Sequence, residues 1–138
     1  MINIVLDTFL PGDPDLGMPQ ASSLDFAHYM SMCDIKSDVQ DYVSELSSIA
    51  KDKYGLSFEE LDETQRLAVV NTSKIKNVRL FTLFLTHSMR AYYSNRVVLN
   101  RLNVGSVPPF PTGNAIDSDN WEILESVYER GITYREAD

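Results

Sequence analysis

The segment 77–93, NVRLFTLFLTHSMRAYY, constrains the fold more than any other part of the chain. Drawn as a helix it is apolar on nearly every side, which is typical of a helix that other elements surround. Its longest mostly apolar run, Leu80–Leu85, is far too short to span a bilayer. We therefore predict a buried central helix at about residues 77–93, and we expect no direct insertion into a membrane.

Amphipathic patterns predict helices on both sides of this segment. Apolar residues recur at steps of three and four over Ile35–Tyr54, and Gly55 is placed to end that helix. The spacing of a capping box occurs twice, at Ser57–Glu60 and at Asp62–Gln65. Residues 2–10 fit either a strand or a helix. The predicted helices cover about residues 23–32, 37–54, 63–72 and 95–102, and a last one begins near residue 119.

Length and composition indicate one helical domain. The chain has 138 residues, enough to bury a single core without disulfides or metals. Its 12 basic residues are outnumbered by 20 acidic ones, and the net charge of −8 argues against nucleic acid as the main partner. The predicted fold is all-α, a single domain over residues 1–138 that forms an orthogonal or irregular bundle around the central helix.

Three prolines in four residues mark a loop that we predict at 103–116. Pro108, Pro109 and Pro111 fix φ and remove backbone donors, so Phe110 is held on a short extended rod. A rigidly held aromatic ring suits docking against another surface, although Phe110 can equally fill the core of this chain. We predict a partner interface from the aromatic, proline and arginine residues of this half. Its candidate residues are Tyr92, Tyr93, Arg96, Pro108, Pro109, Phe110, Pro111 and Arg135.

Charges are unevenly distributed along the chain. Residues 74–101 hold six basic residues and no acidic one, whereas both flanking regions are acidic. Two interpretations stay open. The basic residues can neutralise the acidic helices of this same chain, or they can form a basic patch that faces an acidic surface of a partner.

No sequence pattern indicates catalysis. A glycine-rich phosphate loop and a nucleophile elbow are both missing, and one cysteine with two histidines cannot supply a metal site rich in these ligands. We interpret Cys33 as a structural thiol and His87 as a hydrogen-bonded core residue. The segment Asp13–Gly17 lacks the ligand spacing of a calcium loop and is interpreted as a turn. The sequence thus predicts no catalytic residue, no cofactor site and no metal site in this chain.

Several short motifs follow one another along almost the whole chain. They are Phe9-Leu10-Pro11-Gly12-Asp13, Thr86-His87, Tyr92-Tyr93-Ser94 with Val97, Pro108-Pro109-Phe110-Pro111-x-Gly113, Leu124-Glu125-x-Val127-x-x-Arg130 and Tyr134-Arg135. Together they resemble the small subunit (subunit 3) family of gluconate 2-dehydrogenase. The Tyr-Tyr-Ser and Pro-Pro-Phe-Pro-x-Gly motifs are the most specific part of this resemblance.

The resemblance implies a mostly helical, non-catalytic accessory subunit that holds no cofactor. Such a subunit accompanies a large FAD-dependent oxidoreductase of the glucose-methanol-choline type, which oxidises a sugar, a sugar acid or a glycoside. A cytochrome c subunit often completes the electron path. The small subunit supports the folding, stability or export of the flavoprotein, and FAD belongs to the large subunit.

The start of the sequence departs from part of that family. Relatives that escort a partner across a membrane commonly carry a twin-arginine leader, and this sequence has neither that motif nor a basic region followed by a long apolar one. As the sequence stands we expect a cytoplasmic protein. A periplasmic location is expected if the chain is exported together with a partner or if a leader has been removed.

A free-standing helical binding module is the alternative function. It would bind a protein, or a small ligand in a pocket near His87, Arg90 and Tyr92, three residues within two turns of one predicted helix. An enzyme in its own right is not expected, because no set of catalytic residues is recognisable.

Overall fold

Helices account for nearly all the regular structure in the computed structural model, which describes residues 1–104 and 122–131. In chain order they are α1 (Ile2–Phe9), a short 3-10 helix (Ala21–Ser23), α2 (Phe26–Met32), α3 (Lys36–Tyr54), α4 (Glu63–Lys76), α5 (Val78–Tyr93), α6 (Arg96–Leu102) and α7 (Glu122–Glu129). Within the described residues, extended pairing is limited to one isolated bridge between Asp13 and Met18. The prediction of an all-α fold is confirmed.

The first segment, which the sequence left open between strand and helix, forms α1. Val5 and Leu6 are buried in the core, as the helical spacing of the apolar residues requires. The Asp7 carboxylate accepts a hydrogen bond from the Ser22 backbone nitrogen at 2.8 Å. This bond ties α1 to the short 3-10 helix and fixes the intervening loop at both ends.

Two helix ends follow the capping signals in the sequence, and a third capping signal is an exception. Asp62 and Gln65 form the predicted capping box, with hydrogen bonds of 2.8 and 3.0 Å, and α4 begins directly after Asp62. Gly55 ends α3 in the left-handed conformation, at φ 71°. The exception is Ser57, whose backbone nitrogen and hydroxyl both donate to the Glu60 carboxylate. These bonds close a turn, and no helix begins there.

The core centres on an aromatic cluster contributed by α1, α2, α3 and α5. Phe84 on α5 is fully buried, and its ring centroid lies 4.6 Å from that of Tyr42 and 5.4 Å from that of Phe9. Phe26 completes the cluster at 6.4 Å. Because α5 also contacts α2, α3, α4 and α6, its predicted central position is confirmed.

A smaller part of the surface of α5 is buried than its apolar sequence predicted. The buried side chains Phe84, Ser88 and Tyr92 follow one another at steps of four and so lie on one face. Val78 and Met89 lie elsewhere on the helix and are exposed. The described helices cover one side of α5, and an apolar sequence alone does not reveal whether its other sides are covered by the same chain.

A sharp corner joins α4 to α5, with Asn77 as the one residue between them. Its Oδ1 accepts from the Leu80 backbone nitrogen at 3.2 Å and caps α5, while its Nδ2 donates to Glu45 Oε2 at 3.1 Å. Glu45 Oε1 accepts from the Ser73 hydroxyl at 3.0 Å. Glu45 on α3 therefore fixes the corner, and α4 continues to Lys76, four residues beyond its predicted end.

The helix α6 ends just before the proline-rich segment of the chain. Asn103 ends α6 in the left-handed conformation, at φ 54°, and Val104 is the last residue described before the gap. The rest of the proline-rich loop predicted at 103–116 lies outside the described residues. The assignment of residues 1–138 to a single domain stays a prediction.

Candidate functional site

Three of the eight predicted interface residues lie in the part of the chain that the structure describes. Tyr92, Tyr93 and Arg96 lie where α5 passes into α6. Asn95 makes this junction, because its Oδ1 accepts from the Val97 backbone nitrogen at 2.9 Å and caps α6. The other predicted interface residues lie outside the described part of the chain: Pro108, Pro109, Phe110, Pro111 and Arg135.

Tyr92 is a core residue that joins α5 to the N-terminal region. Its side chain is 4% exposed, and its hydroxyl donates to the Pro19 carbonyl oxygen at 2.7 Å. Burial, with a smaller contribution from Tyr93, raises the pKa of Tyr92 above its ordinary value, so the hydroxyl keeps the proton that this bond uses. Tyr92 therefore holds α5 against the N-terminal region, and it exposes little surface that a partner could contact.

Tyr93 and Arg96 differ from Tyr92 because both are exposed. The Tyr93 ring is 42% exposed and meets the Tyr92 ring edge-on, with 5.1 Å between the centroids. Arg96 opens α6 on the exposed side. The structure thus places an aromatic ring and a guanidinium at the surface here, which are the residue types that dominate protein interfaces.

The loop between α1 and the 3-10 helix forms the opposite wall of a groove. Asp13 and Met18 exchange backbone hydrogen bonds of 3.0 and 2.8 Å, and Asp13 Oδ1 also accepts from the backbone nitrogen of Leu16 at 3.2 Å. Gly12 is required at the base of the loop, because at φ 77° a Cβ would lie 2.7 Å from the Met18 carbonyl oxygen. The interpretation of Asp13–Gly17 as a turn is confirmed, and the turn holds Leu16 at 72% exposure.

An apolar groove lies between this loop and the α5–α6 junction. It has a volume of about 460 Å³ and is lined by Phe9–Asp13, Leu16, Met18, Tyr92, Tyr93, Arg101 and Leu102. The Arg101 guanidinium lies against Gly17, where a Cβ would come 3.6 Å from its Cζ. The groove therefore combines apolar walls with two charged residues, Arg101 and Asp13, and we call it the α6 groove.

His87 takes part in a hydrogen bond inside the bundle. Its Nδ1 lies 3.2 Å from the Tyr29 hydroxyl. Burial, followed by the neighbouring Cys33 side chain, raises the pKa of Tyr29 to about 12, so Tyr29 stays protonated. Burial and then the Arg90 charge lower the pKa of His87 below its ordinary value. The predicted hydrogen bonding of His87 is confirmed, but its predicted place in the core is not, because the side chain is only partly buried.

The pocket proposed near His87, Arg90 and Tyr92 is not formed by those three side chains together. Tyr92 lines the α6 groove, whereas His87 faces Tyr29 on α2, and neither His87 nor Arg90 lines that groove. The reason is geometric, since five residues along a helix amount to about 500° of rotation, which turns the two rings to different faces.

Basic residues of segment 74–101 show few direct ion pairs. Between residues of the described ranges, Lys76, Arg79, Arg96 and Arg101 have no carboxylate within salt-bridge distance. Within the described residues, these four side chains are therefore not held by direct ion pairs. The alternative, a basic patch that faces a partner, stays a prediction.

The described residues show neither a metal cluster nor a membrane span. Within residues 1–104 and 122–131, no three His, Cys, Asp or Glu residues are arranged to hold a metal ion. In the same ranges no helix is both long enough and apolar enough to cross a bilayer. No protein-family model, curated protein or solved structure matches this chain.

Of the residues that line the α6 groove, only Tyr92 and Tyr93 belong to the predicted interface. Leu16, Met18 and Arg101 were not among the predicted interface residues, because they are far apart in sequence and carry no recognisable motif. The one available signal was the Pro11–Gly17 segment. Its tight turn, flanked by apolar residues, is typical of a loop that presents a side chain at a fixed position.

Proposed function

We propose that this chain is a non-catalytic accessory subunit that binds a large FAD-dependent oxidoreductase of the glucose-methanol-choline type. The class of partner comes from the sequence resemblance to the small subunit of gluconate 2-dehydrogenase. A cytochrome c subunit would complete the electron path of the complex. The flavoprotein carries out the oxidation of a sugar, sugar acid or glycoside, and this chain supports its folding or stability.

The observation that carries the proposal is the apolar rim of the α6 groove. Leu16, Tyr93 and Leu102 are all large and exposed, and all three line the same groove. Exposed apolar side chains are ordinary when scattered, but several around one concave surface are typical of a protein-binding site. Arg96, exposed beside Tyr93 on the same junction, adds a residue type that is enriched among interface hot spots.

Binding at this rim would stabilise a complex mainly by burying apolar surface. Covering a Leu, Val or Phe side chain is worth about 1.5–3 kcal/mol before the cost of association. Leu16 and Leu102 line the groove from different parts of the chain, so a partner that contacts both would also stabilise the fold of the small subunit itself. Such mutual stabilisation is what an accessory subunit requires.

Co-expression with a candidate large flavoprotein of this type from the same organism tests the proposal. We expect a stable complex that contains FAD, and we expect this chain alone to show no flavin absorbance and no oxidation of sugars with an added electron acceptor. The double variant Leu16→Ser/Arg96→Glu should reduce the yield of complex at least about tenfold, because each lost contact of about 1.4 kcal/mol is worth a factor of ten in affinity. The far-UV circular dichroism should stay unchanged.

A control variant, Leu67→Ser, changes an exposed leucine on α4 that does not line the groove. It should give the same yield of complex as the wild type. Equal yields for the control and the groove variant, or sugar oxidation by this chain alone, would contradict the proposal.

A small-ligand module is the second candidate, and the size of the groove favours it. A volume of about 460 Å³ lies within the range of ligand pockets, and Arg101 offers a cation for a carboxylate. The expected ligand class is an aromatic or aliphatic carboxylic acid. Titration calorimetry with phenylacetate and octanoate, on the wild type and on Arg101→Gln, tests it. Binding that Arg101→Gln abolishes would support this function, and no heat with either acid would exclude this ligand class.

A further inference from the structure

The corner between α4 and α5 exposes two aliphatic side chains. Ile75 is 87% exposed and Val78 is 63% exposed, and they flank the single linking residue Asn77. Their exposure is not the result of a loose helix end. Glu45 fixes the corner through its hydrogen bonds to Ser73 and Asn77, and Asn77 caps α5. The two side chains therefore lie on a defined backbone that presents them to the surroundings.

Three cations flank these aliphatic residues in the sequence, and Lys74 Nζ lies 5.9 Å from the centroid of the Phe81 ring. Lys74 and Lys76 lie in the last turn of α4, where the helix dipole stabilises positive charge. Their contribution to helix stability is therefore enough to explain why these two positions are basic. Arg79 lies in the first turn of α5, where the dipole disfavours a cation. In the described part of the chain, neither Lys76 nor Arg79 has an ion-pair partner. Helix stability therefore leaves Arg79 and both aliphatic residues unexplained.

We propose that this corner, residues 74–79, adsorbs to membranes that contain anionic phospholipids. The cations contact the headgroups, and Ile75 and Val78 enter the boundary between headgroups and acyl chains. Adsorption of this kind needs no helix that crosses the bilayer. The proposal does not depend on the flavoprotein partner, because the corner is a different surface from the α6 groove.

The composition of the corner favours lipid over an acidic protein. Lysine is depleted in protein interfaces, whereas aromatic residues are enriched there, and residues 74–79 include two lysines and no aromatic residue. Basic side chains next to exposed aliphatic ones are typical of segments that lie on anionic membranes. Lys and Arg also have flexible apolar stems, which lets their charges stay at the headgroups while the aliphatic side chains go deeper.

The net charge of the chain makes the test discriminating. At −8 the chain as a whole is repelled by an anionic membrane, so any preference for anionic lipid must come from a local basic surface. The measurement is co-sedimentation of the full chain with sucrose-loaded vesicles, made either of phosphatidylcholine alone or with phosphatidylserine added. We expect the partition coefficient to be at least about tenfold higher with phosphatidylserine, and to fall when salt is raised from about 0.05 to 0.5 M.

Two variants test the residues of the corner itself. Lys74→Gln/Lys76→Gln/Arg79→Gln should remove the preference for phosphatidylserine, and Ile75→Ser/Val78→Ser should lower binding at least about threefold with the charges intact. Two controls change residues outside the corner: Arg96→Gln/Arg101→Gln removes two cations rather than three, and Leu16→Ser/Val97→Ser removes two exposed aliphatic side chains. They should bind as the wild type does. Circular dichroism verifies that every variant is folded.

Three results would overturn the proposal. The first is equal binding of the wild type to both kinds of vesicle. The second is loss of binding in the groove-side controls instead of the corner variants. The third is wild-type binding by Ile75→Ser/Val78→Ser together with equally strong, charge-dependent binding to soluble poly-glutamate, which would assign the corner to an acidic protein surface.

Discussion

Replacing Phe84 with alanine should be among the most destabilising single changes in this chain. The side chain is fully buried, and its ring contacts three others, those of Tyr42, Phe9 and Phe26. A buried Phe→Ala change costs about 3–5 kcal/mol, because transfer energy is lost and a cavity remains. Each ring pair adds about 0.5–1.5 kcal/mol within that total. Since folded domains are stable by only about 5–15 kcal/mol, this loss should lower the melting temperature by about 10–20 °C.

Urea unfolding followed by circular dichroism measures this loss. Phe81→Ala is the matched control, because Phe81 lies one turn away on α5, is only partly buried, and pairs with Phe9 at 5.9 Å. It should cost about 1–2 kcal/mol, and the more conservative Phe84→Leu about 1 kcal/mol. If Phe84→Ala cost less than about 1.5 kcal/mol, or no more than Phe81→Ala, the aromatic cluster would not be the centre of the core.

Three other predictions concern caps, turns and pH. Asp62→Ala should lose about 1 kcal/mol of unfolding free energy through the capping box, while Asp62→Asn, which keeps the acceptor, should lose less; urea midpoints decide this. Gly12→Ala should destabilise the fold more than Gly55→Ala, because a Cβ at position 12 would clash with the Met18 carbonyl oxygen, whereas no atom lies within 4 Å of a Cβ at position 55. Equal losses in melting temperature for the two variants would contradict the close approach of Gly12 to Met18. Because burial lowers the pKa of His87, the folded chain binds fewer protons than the unfolded one and loses stability as the pH falls from about 7 to 5; His87→Asn should flatten that decline in urea midpoints.

Helix positions could be predicted from sequence where a local signal sets them. Asp62 with Gln65, and Gly55, act on their own neighbours, so their roles follow from spacing alone. Ser57 and Glu60 show the limit of this reasoning. Only half of a capping box forms there: the Ser57 backbone nitrogen donates to the Glu60 carboxylate, but the Ser57 hydroxyl also donates to that carboxylate and does not accept from the Glu60 backbone nitrogen. No helix begins at Ser57, and α4 begins only after Asp62.

Burial around α5 could be predicted only in part. Its apolar character correctly indicated a central position, but the covered face follows from how α3 and α4 pack, which depends on distant contacts such as Glu45 with Asn77. The α6 groove was even harder to predict from the sequence. It brings Leu16 and Leu102 to one surface, and no local pattern indicates that these two segments meet.

The hydrogen bond from Tyr92 to Pro19 has a consequence for the order of folding. It joins residues that are 73 positions apart, and the Tyr29–His87 bond spans 58, whereas Glu45 reaches Ser73 across only 28. Closing longer loops costs more entropy and slows folding, so α3 and α4 should pair before the N-terminal region docks on α5 and α6. The walls of the α6 groove would then be assembled last. A nascent chain would lack a complete groove until nearly all of its described helices had formed.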